Sequence, residues 1–256
     1  MIPTKSDEEI QIMAVGGAKL ARVKNALAEA VAEGVGASDI EDLAVKLIAK
    51  EGAEASFKKV PGYHWATCVN VNEGLVHGIP TASVIFKKGD IVSIDVGVYY
   101  QGFHTDTSVS VGIGATPENR RFLAVGREAL GKAIKVAKEG NHIYDISAAI
   151  EGTVEAAGYS TIKALVGHGV GRELHEEPQI PCFLPRSNRG EPGRITDSPQ
   201  IKKGMVLAIE VMYAAGSDAV EVLGDGWTIR MQDGKIAALF EETVAVTAEG
   251  GKVLTA

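Results

Sequence analysis

The segment Asp90 to Val109 carries two aspartates, Asp95 and Asp106, in a stretch that otherwise reads as a β-hairpin. A tight turn centred on Tyr100-Gln101 puts the two directly opposite each other. Opposed side chains have Cβ atoms about 4.5–5.5 Å apart, where like charges repel. A slip of one residue would send them to opposite faces, because side chains alternate with a period of two. On the first strand Val92, Ile94, Val96 and Val98 fill one face, while Ser93, Asp95 and Gly97 fill the other. Two carboxylates desolvated on such a face either share a proton, as in an aspartic protease dyad, or hold a hard metal ion.

Three more potential ligands favour the metal. His168 sits between glycines in Gly167-His168-Gly169-Val170-Gly171, just after Ala164-Leu165-Val166. Glu210 interrupts the apolar run Met205 to Tyr213, and Glu241 interrupts Ile236 to Val244. Any one of these is ordinarily a satisfied core, paired or surface residue. Four carboxylates and an imidazole together match a two-metal site in which carboxylates bridge the ions and one histidine completes the shell. The alternating glycines do not make a phosphate loop, since neither a Lys-Ser/Thr ending nor a helix-opening pattern accompanies them.

These groups need elements to hold them. Ser6 or Asp7 caps a helix to about Glu33, with an apolar stripe through Ile10, Met13, Leu20 and Leu27. Ser38 or Asp39 caps a second through about Lys50. Strands are expected within Thr67 to Val76 and Val84 to Val111. Thr116-Pro117-Glu118 opens a long helix, with Pro at its first position, that Gly140 stops. A fourth helix runs from about Ile143 to Ala157, and strands follow around Val206 to Tyr213, Gly226 to Met231 and Ile236 to Thr247. Two helices followed by strands, twice over, predict one pseudo-duplicated α+β domain over 1–256, with halves at about 1–115 and 116–256. Pro185 to Gln200 reads as an irregular surface loop.

With 256 residues, 45% of them hydrophobic, the chain can bury a sizeable core. Its 33 acidic and 26 basic residues give a net charge of −7, and no Lys/Arg cluster stands ready to track a phosphate backbone. Direct nucleic-acid binding is therefore not expected. Only Cys68 and Cys182 are present, the first dozen residues lack an apolar leader, and no run reaches membrane-span length. A cytoplasmic monomer without membrane attachment is the expectation.

At this point the chain resembles the type I methionine aminopeptidases of the pita-bread fold, from about residue 6 to residue 248. The markers are Gly62-Tyr63-His64, Asn72-Glu73 through His77-Gly78-Ile79-Pro80, and the Asp95/Asp106 hairpin. They continue with Gly167 to Arg172, His175-Glu176-Glu177-Pro178, Ala208-Ile209-Glu210, and Phe240-Glu241 before Thr243. The resemblance implies helices packed in pseudo-two-fold fashion on a curved antiparallel sheet. It implies two divalent ions (Co, Mn, Fe or Zn) on Asp95, Asp106, His168, Glu210 and Glu241, with Asp106 and Glu241 bridging. It gives His77 and His175 to the scissile amide and the developing oxyanion, and makes Glu210 the base for a metal-bridging hydroxide. It places Tyr63, Cys68, Leu174 and Trp227 around the methionine side chain, a pocket suited to a flexible thioether. The substrates implied are N-termini of nascent polypeptides, met at the ribosome.

The chain departs from the family pattern at Val211 (usually Pro), Glu242 (usually His), Val76 (frequently Cys) and Leu174 (commonly aromatic). None of these removes a ligand; Val76 and Leu174 bear on substrate selectivity. Two other readings remain at this stage: the same fold and metals acting on Xaa-Pro peptides, and a catalytically silent binding protein, a class in which metal ligands are typically lost and against which the survival of all five ligand positions counts.

Overall fold

A computed structural model describes residues 2–186 and 193–256. Four helices, α1 (Asp7–Ala30), α2 (Ala37–Lys50), α3 (Pro117–Val136) and α4 (Ile143–Ala156), lie where the capping and periodicity signals put them. Ser6 caps α1 in a reciprocal box with Glu9, each side chain taking the other's backbone N–H. Thr116 caps α3 by accepting the Asn119 N–H at 3.1 Å. The cap of α2 differs from expectation: Gly36 occupies it, and the Asp39 carboxylate reaches back to the Gly36 N–H at 2.8 Å.

The strands are β1 (Glu54–Ala55), β2 (Thr67–Val71), β3 (Gly74–Val76), β4 (Ile91–Tyr100), β5 (Phe103–Gly112), β6 (Ser160–Thr161), β7 (Val166–Gly169), β8 (Glu176–Pro181), β9 (Val206–Ala214), β10 (Val220–Val222), β11 (Ile229–Met231), β12 (Ala237–Thr247) and β13 (Gly250–Val253). The main antiparallel sheet runs β1-β4-β5-β12-β9-β7-β8, with β2 on β4, β6 on β9 and β13 on β12. A small sheet, β10-β11-β3, stands beside it. Val84 to Asp90, expected as strand, is irregular, with an isolated bridge from Ile85 to Gly36 and a turn at Lys88-Gly89, and Pro185 to Gln200 includes a short 3₁₀ turn at Ile195–Asp197. The loop's residues 187–192 lie outside the described residues.

One face of the sheet carries the helices. Val92, Ile94, Val96 and Val98 of β4 pack with Leu20, Leu27, Ile40 and Ile48 of α1 and α2. Leu207, Ile209 and Val211 of β9 pack with Phe122, Leu130, Ile146 and Ile150 of α3 and α4. The two helix pairs thus cover the two sides of the seam between β5 and β12, as the α+β expectation required. Backbone pairing along that seam is short, only Glu241 with Ser108 and Glu242 with Thr107. Hydroxyl groups extend it. Thr243 Oγ1 accepts the Asp106 N–H at 2.9 Å and donates to the Asp106 carbonyl at 2.8 Å, and Thr107 Oγ1 donates to the Glu241 carbonyl at 2.8 Å.

The hairpin register corrects the sequence expectation. Tyr100 pairs with Phe103, so the turn is Gln101-Gly102, and Asp95 lies opposite Ser108 while Asp106 lies opposite Gly97. The turn is displaced by one position, which moves the pairing by two residues and keeps both aspartates on one face. Gln101 and Gly102 both have positive φ, 47° and 93°, as the favoured two-residue hairpin turn demands. The aspartates are therefore diagonal neighbours.

Candidate metal centre and substrate cleft

The face opposite the helices carries a single row of side chains across five strands. Cys68 of β2 pairs with Asp95, Asp95 with Ser108, Ser108 with Glu241, and Glu241 with Glu210. Asp106 stands two residues from Ser108 on the same face. His168 of β7 pairs with Ala208, two residues from Glu210, and so joins the face from the far side. Antiparallel register alone brings together all five residues singled out as ligands.

One ligand atom from each of Asp106, His168 and Glu241 lies within 4.8 Å of the others, and His168 Nε2 is 3.5 Å from Glu210 Oε1. The second imidazole nitrogen, Nδ1, bonds the Gly169 carbonyl at 2.9 Å. With Nδ1 as the donor, the Nε2 lone pair faces the carboxylates, the tautomer a metal ligand needs. Burial pushes the carboxyl groups of Asp95, Glu210 and Glu241 well above the ordinary range, and repulsion from Asp106 adds to it in each. Burial holds His168 neutral, down to about 3, with His175 contributing. Asp95 Oδ1 and Glu241 Oε1 are buried without a hydrogen-bond partner. Among the described residues no lysine or arginine pairs with any of the four carboxylates. Hard oxygen donors, one lone-pair nitrogen and orphaned buried oxygens fit divalent cations.

The cleft above this floor has a volume of about 120 Å³. Its apolar end is a cluster of Phe57, Tyr63, Cys68 and Leu174, with Val60 and Trp227 packed against it. The Tyr63 hydroxyl donates to the Thr67 carbonyl at 2.8 Å, and its ring meets Trp227 edge-on at 5.1 Å. Cys68 and Cys182 are both buried and free. All four residues anticipated for the methionine pocket line this cleft. Phe57 and Val60 were not anticipated. Their signal was Gly97: a glycine inside a strand marks a close approach, and a Cβ there would lie 2.8 Å from the Ser56 Cβ and 3.0 Å from the Phe57 ring.

His77 and His175 stand exposed on the rim, and the surrounding protein nevertheless holds both imidazoles below the ordinary histidine value. The His175 ring packs on His168 at 4.5 Å. His77 has φ 57°, a left-handed conformation that costs about 1–3 kcal/mol for a non-glycine residue and gathers at functional sites. The glycines around His168 serve packing: a Cβ at Gly169 would overlap the Glu177 carbonyl, and one at Gly167 would lie 2.7 Å from the Ala208 carbonyl. No helix among the described residues is long and apolar enough to cross a membrane.

The fold and this site define a metal-dependent hydrolase whose cleft is apolar at one end and carboxylate-lined at its floor. Residues 11–248 match the model of metallopeptidase family M24. Over the whole chain and 99% of each relative, identity is 40% to a methionine aminopeptidase of Clostridium perfringens and 41% to methionine aminopeptidase 1 of Bacillus subtilis. The crystal structure of methionine aminopeptidase from Thermotoga maritima superposes with a TM-score of 0.92 at 42% identity, covering 100% of this chain and 99% of that one. Prolidase from Pyrococcus furiosus gives a TM-score of 0.77 at 25% identity, covering 99% of this chain but only 65% of the prolidase. The chain belongs to metallopeptidase family M24, in its type I methionine aminopeptidase branch, with the pita-bread fold. It is a metal-dependent aminopeptidase.

Proposed function

We propose that Asp95, Asp106, His168, Glu210 and Glu241 would together hold two divalent ions. The reaction is removal of an N-terminal methionine from a polypeptide. The observation that carries this reading is the row Asp95-Ser108-Glu241-Glu210 on one sheet face, flanked by Asp106 and His168, at the floor of a cleft whose other end is apolar. Bound there, the ions supply Lewis acidity that brings the pKa of water toward neutrality and polarises the scissile carbonyl.

The chain's own groups do the rest. Tyr63, Cys68, Leu174 and Trp227, with Phe57, receive the methionine side chain and exclude water from it. Glu210 takes the proton of the attacking water and passes it to the leaving amine. The neutral imidazoles of His77 and His175 donate N–H groups to the peptide unit and to the oxyanion as it develops. The compact apolar cluster beside the carboxylate floor supports an exopeptidase that selects one apolar side chain. The substrates are nascent chains, met in the cytoplasm at the ribosome. The whole of 1–256 acts as one monomeric catalytic domain whose halves share the site across the β5–β12 seam.

The test is release of free methionine from Met-Ala-Ser by metal-stripped protein titrated with Mn²⁺ or Co²⁺, beside an Ala-Pro-led peptide. Metal-dependent release of methionine is expected. Cleavage of the Ala-Pro peptide alone would move the substrate to the prolidase side of the family, and silence on both without bound metal would leave a binding protein.

A further inference from the structure

The turn Gly171–Glu176 carries both Leu174, a wall of the cleft, and His175 on its rim, and it is built around one carboxylate. Glu176 Oε1 accepts the Arg172 N–H at 2.8 Å and the Glu173 N–H at 3.2 Å. Its other oxygen, Oε2, takes the ammonium of Lys5, from the segment ahead of α1. Lys5 is only 5% exposed, and among the described residues it is the one cation paired with Glu176. Burial lowers the pKa of Lys5 while Glu176 supports its charge.

The surroundings are shaped for this pair. A Cβ at Gly171 would overlap the end of the Lys5 side chain, at Cε and Nζ, and lie 2.8 Å from Glu176 Oε1, so a side chain there would displace the pair. The Lys5 N–H donates to the Gly204 carbonyl at 2.7 Å, just ahead of β9, the strand that carries Glu210. The far side of the turn is held as well. The His104 N–H donates to the Gly171 carbonyl at 2.7 Å, and the Arg172 guanidinium lies 5.3 Å over the Phe103 ring while bonding Glu9. Glu9 is the residue that closes the capping box of α1 with Ser6.

We propose that Lys5 is a positioning residue that, through the Glu176 carboxylate, sets the placement of His175 and Leu174 against the substrate. The inference rests on the reading of those two residues as substrate contacts. The ammonium fixes a carboxylate on which the turn's own N–H groups converge. Without it the carboxylate loses the partner that fixes its Oε2, the turn relaxes, and His175 and Leu174 move together. A misplacement of about 1 Å costs on the order of 10²-fold in rate.

The experiment compares Lys5→Met, which keeps the stem and loses the charge, with Glu176→Gln and with the surface control Lys203→Met. Each is assayed with Mn²⁺ on a Met-led and a Leu-led peptide, and bound metal is measured on the same samples. For Lys5→Met and Glu176→Gln the expected result is kcat lower by about 10- to 100-fold per metal-loaded site, unchanged metal content, and an altered Met-to-Leu ratio of kcat/KM. That ratio does not depend on how much of a sample is folded, so a merely structural role leaves it unmoved. Unchanged kcat in both variants, loss of metal in step with activity, or an equal fall on both peptides overturns the proposal. If Lys5→Met fails to fold, Glu176→Gln decides by the same criteria. No methionine release by the unsubstituted enzyme would overturn the functional reading beneath the inference, a result visible before any variant is compared.

Discussion

Glu210 on β9 and Glu241 on β12 stand directly opposite each other in register, on the buried face of the sheet. Like charges in that relation destabilise a strand pair, and no basic side chain among the described residues stands between them. In the metal-free protein the folded state therefore holds protons that the unfolded chain releases. The raised carboxyl pKa values give stability that is full below the ordinary value of about 4 and is lost as pH rises through the folded values. The histidines act in the opposite sense: His168, held down to about 3, and His104, held down to about 4, lose stability as pH falls below about 6.5. Above pH 7 the carboxylates act alone. Urea unfolding of metal-stripped protein is expected to show stability falling as pH rises through about 7, the value to which burial raises Asp106, by up to about 1.4 kcal/mol per pH unit for each proton still held. Saturating Mn²⁺ should abolish that slope. A flat profile without metal would mean that the carboxylates are already compensated.

Replacing Glu210 by Gln removes the proposed base and one negative ligand while keeping the side chain's volume. Turnover should fall by about 10²–10⁴-fold, and bound metal should fall from two ions toward one. Glu241→Ala, which removes a proposed ligand, should abolish metal binding and turnover together. Metal analysis beside methionine release checks both, and full activity in Glu241→Ala would end the ligand assignment.

Much of this site was legible because it is a matter of strand parity. Alternation put Asp95 and Asp106 on the polar face whichever even register the hairpin took, and Glu210 and Glu241 stood out as charges inside apolar runs. Which carboxylates oppose each other was not legible. Directly opposed like charges were inferred for Asp95 and Asp106 and belong to Glu210 and Glu241, a pairing between strands roughly thirty residues apart that no local turn specifies. The helix starts at Ser6 and Thr116 were readable from local capping chemistry, whereas the cap of α2 fell to Gly36 because its neighbour Ala37 bonds the Val84 carbonyl far along the chain. His77 and His175 carried no signal of their own; only the resemblance to a family singled them out. Lys5 carried no signal in the sequence, since its partner Glu176 is 171 residues away.

His175→Ala and His77→Ala should separate substrate contact from metal binding. Both rings are held below the ordinary histidine value, so at pH 7 each is neutral and offers one N–H. Loss of one such donor to a developing oxyanion costs about 10²–10³-fold in kcat. Metal content should stay at the unsubstituted level in both variants. If metal fell as far as activity, the histidine concerned would be a ligand.

Phe57 lines the apolar end of the cleft and reaches it only because Gly97 leaves room. Phe57→Ala should enlarge that end and weaken selection by side-chain shape. The expected result is a fall of roughly 10- to 200-fold in kcat/KM for Met-led peptides, the range for lost hydrophobic complementarity, with bound metal unchanged. Competition between Met- and Phe-led peptides measures it, and undiminished preference for methionine would place the specificity elsewhere.

Glu242 points to the helix face, away from the ligands. Its carboxylate takes the Lys24 ammonium of α1, the Thr255 hydroxyl and, at 3.2 Å, the Thr107 hydroxyl that also bonds the Glu241 carbonyl. Lys24 in turn donates to the Thr255 carbonyl at 2.9 Å, so the C-terminal residues, α1 and the strand behind the metal site meet at one carboxylate. Lys24 is 7% exposed, and breaking a buried pair by removing one partner costs about 3–5 kcal/mol. Glu242→Gln keeps the hydroxyl contacts and strands the ammonium, so it should lower stability by about that amount while two metals remain bound. Glu242→His should lose more, since an imidazole neither neutralises Lys24 nor keeps both hydroxyl contacts of the carboxylate. Denaturant midpoints with metal analysis test this, and a Glu242→Gln protein as stable as the original would show that the pair with Lys24 contributes nothing to the fold.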